Sequence, residues 1–225
     1  VKKIYLTASG GPFLNYKIKK LKKVKPRQAI KHPKWKMGKK ISIDSATMIN
    51  KVYEVIEAKN IFNISYKKIK ILIHPKSYVH AMLKFSNGLI KIVAHDTTMR
   101  VPIFNTLFFG TDFKCKTKNL DINSLNNLNF KKVNFSRYPM VKILKLLPKK
   151  NSLFETVIVS ANDTFVNLFL EKKISFLDIH KELFKLLKLN VYSKYKNIKP
   201  KRLNDIIDLN NYVSTNIRKK YIIYK

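Results

Sequence analysis

The apolar residues of this chain change their spacing part-way along it, and that change limits the folds open to it. Over the first hundred residues they fall in short β-branched runs that alternate in and out. Ile69-Lys70-Ile71-Leu72-Ile73 and Leu89-Ile90-Lys91-Ile92-Val93 are the clearest, and Val1 to Thr7 opens in the same way. Ala81 to Phe85 leads into Asn87-Gly88, which reads as a two-residue hairpin loop because both residues tolerate positive φ. Beyond residue 138 the period becomes helical. Ile158, Ala161, Phe165, Leu168 and Phe169 share one face, as do Ile179, Leu183, Leu186 and Leu187. Pro200 interrupts the pattern before a last helix predicted from near Arg202. Between Gly110 and Tyr138 the periodicity fades into Asn, Lys, Ser and Asp. The expected class is α+β: a small mixed sheet with helices over 1–108, a connecting segment over 109–137 and an all-α helical domain over 138–225. Lys17 to Lys25 reads as a solvated helix or an exposed loop.

The formal net charge is +34, a value that raises the question of a nucleic-acid partner. Two details argue against it. Arginine, the residue suited to bidentate base and phosphate contacts, occurs only at Arg27, Arg100, Arg137, Arg202 and Arg218. The lysines are spread along the whole chain rather than gathered on one segment. Lys, Asn, Ile, Phe and Tyr are all encoded by A/T-rich codons, so a biased bacterial-type genome accounts for the charge. Cys115 is the lone cysteine, which excludes an intrachain disulfide and fits a reducing compartment. No signal sequence and no apolar run of membrane-spanning length is present. A cytoplasmic protein without a membrane partner is expected, and the strand-like start at Val1 is expected to be the continuation of a longer protein.

The chemistry concentrates in Ser42 to Glu57. A helix is predicted from about Ala46 to Ala58, with Met48, Val52 and Ile56 on one stripe and Asp44 or Ser45 as its N-cap. Ser45 would then offer a hydroxyl at the positive end of a helix, where a phosphate is well held. Asn50 and Lys51 follow, and Glu54 lies on the same side three and four residues on. Taken alone, Lys51 with Glu54 reads equally well as a salt bridge. Upstream, Ser9-Gly10-Gly11-Pro12-Phe13 forms a turn whose glycines allow close backbone approach. His32-Pro33-Lys34-Trp35-Lys36-Met37-Gly38 is a polar loop with one Trp, a composition suited to a lid.

Taken together, the segment from Leu6 to Ala58 resembles the catalytic core of the 1-deoxy-D-xylulose 5-phosphate reductoisomerase family. His74-Pro75-Lys76-Ser77-Tyr78-Val79-His80 and Met99-Arg100-Val101-Pro102-Ile103 continue the likeness. The resemblance is strong over about the first 108 residues and looser over the helical remainder. It implies an oxidoreductase and isomerase of the non-mevalonate isoprenoid pathway. Such an enzyme converts 1-deoxy-D-xylulose 5-phosphate to 2-C-methyl-D-erythritol 4-phosphate with NADPH and Mg²⁺ or Mn²⁺, and works as a homodimer. By motif, Ser9, His32, Ser45, Asn50, Lys51 and Glu54 would bind the sugar phosphate, with Lys51 and Glu54 catalytic. Trp35 and Met37 would belong to a flap, Gly38 would contact NADPH, and Glu54 would be a metal ligand.

The departures from the pattern are informative. Ala8 stands where the family usually has glycine, and Asn162-Asp163 where it has an Asn-Glu pair. No glycine-rich dinucleotide fingerprint is present, and no Asp or Glu precedes Ser9. A single carboxylate does not build an octahedral Mg²⁺ site. The expectation is therefore a phosphate pocket with one metal ligand and no cofactor domain. The alternatives are a basic nucleic-acid-binding protein or an inactive remnant of the enzyme.

Overall fold

The computed structural model describes residues 1–32 and 37–222, so Trp35 lies outside the described residues. In chain order the elements are β1 (Lys3–Ala8), α1 (Pro26–Ala29), α2 (Lys39–Thr47), α3 (Ile49–Phe62), β2 (Ile69–Ile73), β3 (Val79–Lys84) and β4 (Ile90–Ala94). They are followed by α4 (Arg100–Leu107), α5 (Ile122–Asn126), β5 (Lys131–Lys132), α6 (Phe154–Leu170), α7 (Phe176–Lys188), α8 (Asn190–Ser193) and α9 (Leu203–Ile222). The fold is α+β, a five-stranded mixed sheet with helices, in the order β4-β3-β1-β2-β5. β1 and β2 run parallel, as a crossover through α1, α2 and α3 requires, and the remaining pairings are antiparallel. Among the described residues no helix is long and apolar enough to cross a membrane.

The parallel pair sets the position of everything that matters chemically. Ala8 pairs with Ile73, and the His74 amide donates to the Ala8 carbonyl at 2.7 Å. The loops that follow β1 and β2, starting at Ser9 and His74, therefore leave the sheet side by side at its carboxyl edge. That edge is where open α/β sheets form their ligand crevices.

Instead of one helix over 46–58, the chain makes two, α2 and α3, with Met48 in the left-handed conformation between them (φ 66°). A non-glycine residue there costs about 1–2 kcal/mol. Burying a methionine side chain recovers about 1.5–3 kcal/mol, and Met48 is 1% exposed, packed with Ala8, Ile73, Tyr138 and Val141. The Thr47 hydroxyl helps the corner, accepting from the Ile49 amide at 3.5 Å. Asp44 and Ser45 are consequently not N-caps. They lie in the last turns of α2, and Asn50 and Lys51 stand in the first turn of α3, where the Lys51 amide donates to Asn50 Oδ1 at 2.9 Å.

The β3–β4 hairpin also differs from expectation. The Phe85 amide donates to the Leu89 carbonyl and the Gly88 amide to Phe85, so the loop is Ser86-Asn87-Gly88. Of these only Gly88 has positive φ (91°), the signature of a turn closed by a left-handed glycine. The Ile18–Lys23 stretch is a 3₁₀ helix that buries Leu21 against the main core.

That core is continuous from α2 and α3 into the C-terminal helices. Ile43, Ala46, Ile49 and Val52 pack with Phe154, Ile158, Phe165 and Phe169 of α6, and Ile179, Leu183, Val213 and Ile217 extend the cluster through α7 and α9. A second, smaller cluster of Val55, Ala58 and Ile69 seats α3 on the sheet.

Two glycines with different surroundings test this picture. A Cβ on Gly11 (φ 68°) would lie 2.8 Å from the Ser45 carbonyl oxygen and 2.9 Å from Ala46 Cα, both backbone atoms. A Cβ on Gly38 meets nothing within 4 Å. Gly11→Ala is expected to destabilise by about 2 kcal/mol or more, and Gly38→Ala by about 1 kcal/mol at most, read as chemical denaturation midpoints.

Candidate active site

A cleft of about 480 Å³ opens at the carboxyl edge of β1 and β2. Of the residues singled out from sequence, Ser9, His32, Met37, Ser45, Asn50, Lys51 and Glu54 all line it. Gly38 does not line it and instead opens α2 as its N-cap residue.

Each side chain is held by a local cause. After β1, Gly10 and Gly11 both take positive φ, which turns the chain back so that the Gly11 amide donates to Ser9 Oγ at 3.2 Å. Ser9 Oγ lies 3.1 Å from His32 Nε2. Burial lowers the His32 pKa, so the ring is neutral at pH 7 and offers one donor and one acceptor nitrogen. The loop is clamped from the far side of the sequence. The buried Tyr138 hydroxyl donates to the Gly10 carbonyl at 2.8 Å, and Arg137 donates to the carbonyls of Phe13, at 2.7 Å, and Tyr16.

On the opposite wall Ser45 projects from α2, and Asn50 and Lys51 stand in the first turn of α3. No acidic residue occupies that turn, so the positive helix end is uncompensated. Lys51 Nζ lies 2.8 Å and 2.6 Å from the two Glu54 oxygens, and its side chain is only 15% exposed. A screened, half-buried pair of this kind is a store of both charges, since an anionic ligand can draw on Lys51 and a cation on Glu54. The floor and rim are apolar, formed by Met37, Ile41, Met48 and Met99.

Three lining residues, Thr7, Ser77 and His80, are absent from the sequence-derived set. Thr7 uses its hydroxyl to hold the carbonyls of Val79 and His80, tying the end of β1 to the start of β3. Ser77 is buried in a left-handed conformation (φ 54°), and its Oγ has no hydrogen-bond partner among the described residues. The β3–β4 register breaks between Val79 and Ala81, a bulge that turns His80 toward the cleft. His80 stacks on His95 with ring centroids 3.6 Å apart. Ser77 and His80 belong to the 74–80 motif, whose polar content was the available signal; Thr7, inside β1, had none. Among the described residues no group of three or more His, Cys, Asp or Glu is placed to hold a metal ion, and Glu54 is the one carboxylate lining the cleft.

Hydroxyls, an amide, an ammonium and a helix N-terminus converge on one cleft of an α+β scaffold, a donor set whose chemistry suits an anionic ligand. Comparison with known proteins narrows the class. Family models for the 1-deoxy-D-xylulose 5-phosphate reductoisomerase C-terminal domain match residues 1–62, and those for the DXP reductoisomerase C-terminal domain match residues 96–215. The chain belongs to the 1-deoxy-D-xylulose 5-phosphate reductoisomerase family. It is 56% identical, over 96% of its length, to the reductoisomerase of Pelagibacter ubique (strain HTCC1062), and 39% identical over 98% to that of Sulfurihydrogenibium sp. (strain YO3AOP1). It covers 55% and 58% of those two proteins, so it spans about half the length of the curated relatives it matches. The solved reductoisomerase of Zymomonas mobilis in complex with NADPH superposes with a TM-score of 0.86 at 34% identity, over 98% of this chain and 56% of that one. A DOX-P reductoisomerase in complex with NADPH, fosmidomycin and magnesium superposes at 0.90 and 29%, over 99% and 56%.

The site carries its own pH signature. Burial, then the neighbouring His95, Lys51 and His74, lower the His80 pKa from 6.5 to about 4. An unfolded chain takes up that proton near pH 6.5, whereas the folded one resists it to about 4. Stability should therefore fall as pH drops through this window and the contribution should level out below it. His80→Gln should flatten the slope of melting temperature against pH between 6.5 and 4 relative to the parent, measured at fixed ionic strength.

Proposed function

We propose that this chain carries the sugar-phosphate-binding half of a 1-deoxy-D-xylulose 5-phosphate reductoisomerase, acting in isoprenoid precursor synthesis in the cytoplasm. The reading is supported above all by one observation: Ser9, His32, Ser45, Asn50, Lys51 and Glu54, drawn from three separated segments, meet in a single cleft. In this reading the substrate phosphate lies at the start of α3, between the Ser45 hydroxyl, the Asn50 amide and the Lys51 ammonium, with Ser9 and His32 on the opposite side. Ser77 Oγ, buried and unpartnered, is a further donor for the sugar. Residues 1–108 bear the site, 109–137 connect, and 138–225 form the helical part that backs it. Met37 belongs to a flap over the cleft.

The ketose skeleton of the substrate has to be held while a carbon–carbon bond shifts and the product is reduced. This chain supplies the holding. Lys51 neutralises phosphate charge, the Ser9–His32 pair fixes hydroxyls, and the methionine-lined wall excludes water. A divalent metal would supply Lewis-acid polarisation and NADPH the hydride. Glu54 alone does not make a metal cage, and no dinucleotide fingerprint is present in the 225 residues. In the enzyme of the relatives' full length, Glu54 would be one ligand among several, and Gly38 would approach NADPH. A second copy of the chain fits the free edge of the sheet. On β4, Ile90 and Ile92 are exposed, as are Ile103 and Leu107 on α4, an apolar edge of the kind that pairing conceals.

Lys51→Met in the complete enzyme should weaken sugar-phosphate binding by about 2–3 kcal/mol, roughly thirty- to 150-fold. Unchanged affinity by calorimetry would remove Lys51 from the phosphate site. Glu54→Gln should depress metal-dependent turnover about a hundredfold while leaving phosphate affinity nearly intact. Ile92→Asp should shift the sedimentation profile from dimer to monomer.

A further inference from the structure

The Asn162-Asp163 pair, a departure from the family pattern with no role in the cleft itself, has a physical role in the packing of α2. Asp44 is a carboxylate only 2% exposed, and such a group is costly to bury unless it is paired. It has two partners. Lys40, one turn earlier on α2, reaches Asp44 Oδ2 at 2.8 Å, and Asn162 Nδ2 on α6 donates to Asp44 Oδ1 at 2.9 Å. Lys40 also meets Asp163 Oδ1 at 2.8 Å, so one ammonium bridges both helices. Tyr53 of α3 stands against the same group, with Lys40 Nζ 5.5 Å from its ring centre. Burial raises the Asp44 pKa, and the Lys40 and Asn162 contacts only partly offset it, while Lys40 and Asp163 stay partly exposed at the edge of the cluster.

The geometry of α2 gives this cluster its consequence. Lys40 and Asp44 form one i, i+4 stripe, and Ile41 and Ser45 form the adjacent one, about 100° around the helix axis. The first stripe faces α6 and the second lines the cleft. Few apolar residues compete to set the rotation of this nine-residue helix, since within it only Ile43 and Ala46 join the core. We propose that Asn162 and Asp163 are positioning residues which, through Lys40 and Asp44, fix the rotation of α2 and so aim Ser45 and Ile41 into the sugar-phosphate cleft. The helical part thereby sets ligand affinity without touching the ligand. The inference rests on the phosphate-site reading above.

The test compares the 225-residue chain with Asn162→Asp, Asp163→Ala and Asp163→Glu. Asn162→Asp keeps the shape but sets two carboxylates together; Asp163→Ala removes a half-exposed group and is the milder change. Two readouts are needed, amide hydrogen exchange and the dissociation constant for 1-deoxy-D-xylulose 5-phosphate by calorimetry. The first two variants should speed exchange selectively over residues 38–48 while α7 and α9 stay protected, and should weaken binding about tenfold. Asp163→Glu, which retains the charge, should stay within about twofold of the parent in both. Exchange that is unchanged over 38–48, or that rises uniformly with a general loss of stability, overturns the proposal. So does selective loosening with unchanged affinity. A parent chain that does not bind the sugar phosphate at all overturns the phosphate-site reading instead, and the claim about aiming falls with it even where the exchange pattern holds.

Discussion

The constraint on which the site depends is a backbone passing over a backbone. Gly11 crosses the last turn of α2 with the Ser45 carbonyl where its side chain would be, so the loop after β1 and the end of α2 form one rigid floor. Tyr138 and Arg137 hold the same loop by its carbonyls from the far side. Ser9 and Ser45, 36 positions apart in sequence, consequently keep a fixed relation that neither element could impose alone. The left-handed Met48 then redirects the chain, bringing the first turn of α3 up to that floor. The corner itself is held by Met48, buried among Ala8, Ile73, Tyr138 and Val141.

Charge is organised on the same principle. The chain has 47 Lys and Arg residues against 13 Asp and Glu, and three of those rare carboxylates, Asp44, Glu54 and Asp163, stand in or behind the cleft, each with a lysine. The many exposed lysines raise the local concentration of anions, but their pull fades over about 8 Å at physiological ionic strength. Lys51, held at 15% exposure beside a helix N-terminus, is the cation in a setting where an ion contact keeps its strength.

What was legible in the sequence divides along the range of the interactions responsible. The strands around Ile71 and Ile92 and the faces of α6 and α7 follow from local period, and the structure has them where the apolar spacing put them. The corner at Met48 was not legible, because no Gly or Pro marks it and only burial against Tyr138 and Ile73 makes it favourable. The hairpin was recognisable from Gly88, but its loop length depends on how Phe85 meets Leu89 across the strands. The bulge that aims His80 is likewise a property of register between β3 and β4, invisible in either strand alone. The residues that meet in the cleft were legible as residue types at motif spacing, while Ser77 and Thr7 passed unnoticed among polar neighbours. Asn162-Asp163 could be seen as a pair but not understood, since the partner of Asn162 lies 118 positions upstream.

That long reach explains why the helices after residue 138 are more than an appendage. A nine-residue helix with two isoleucines, two serines, a threonine and an aspartate has poor intrinsic propensity and would not persist alone in water. α2 exists because Ile43 and Ala46 are buried among α6 side chains and because its carboxylate finds partners there. The cleft is therefore built on a helix whose stability is supplied by a segment more than a hundred residues later. The unit that must fold is larger than the set of residues that meets the ligand, and the continuous core running from Val52 to Ile217 is the physical form of that dependence.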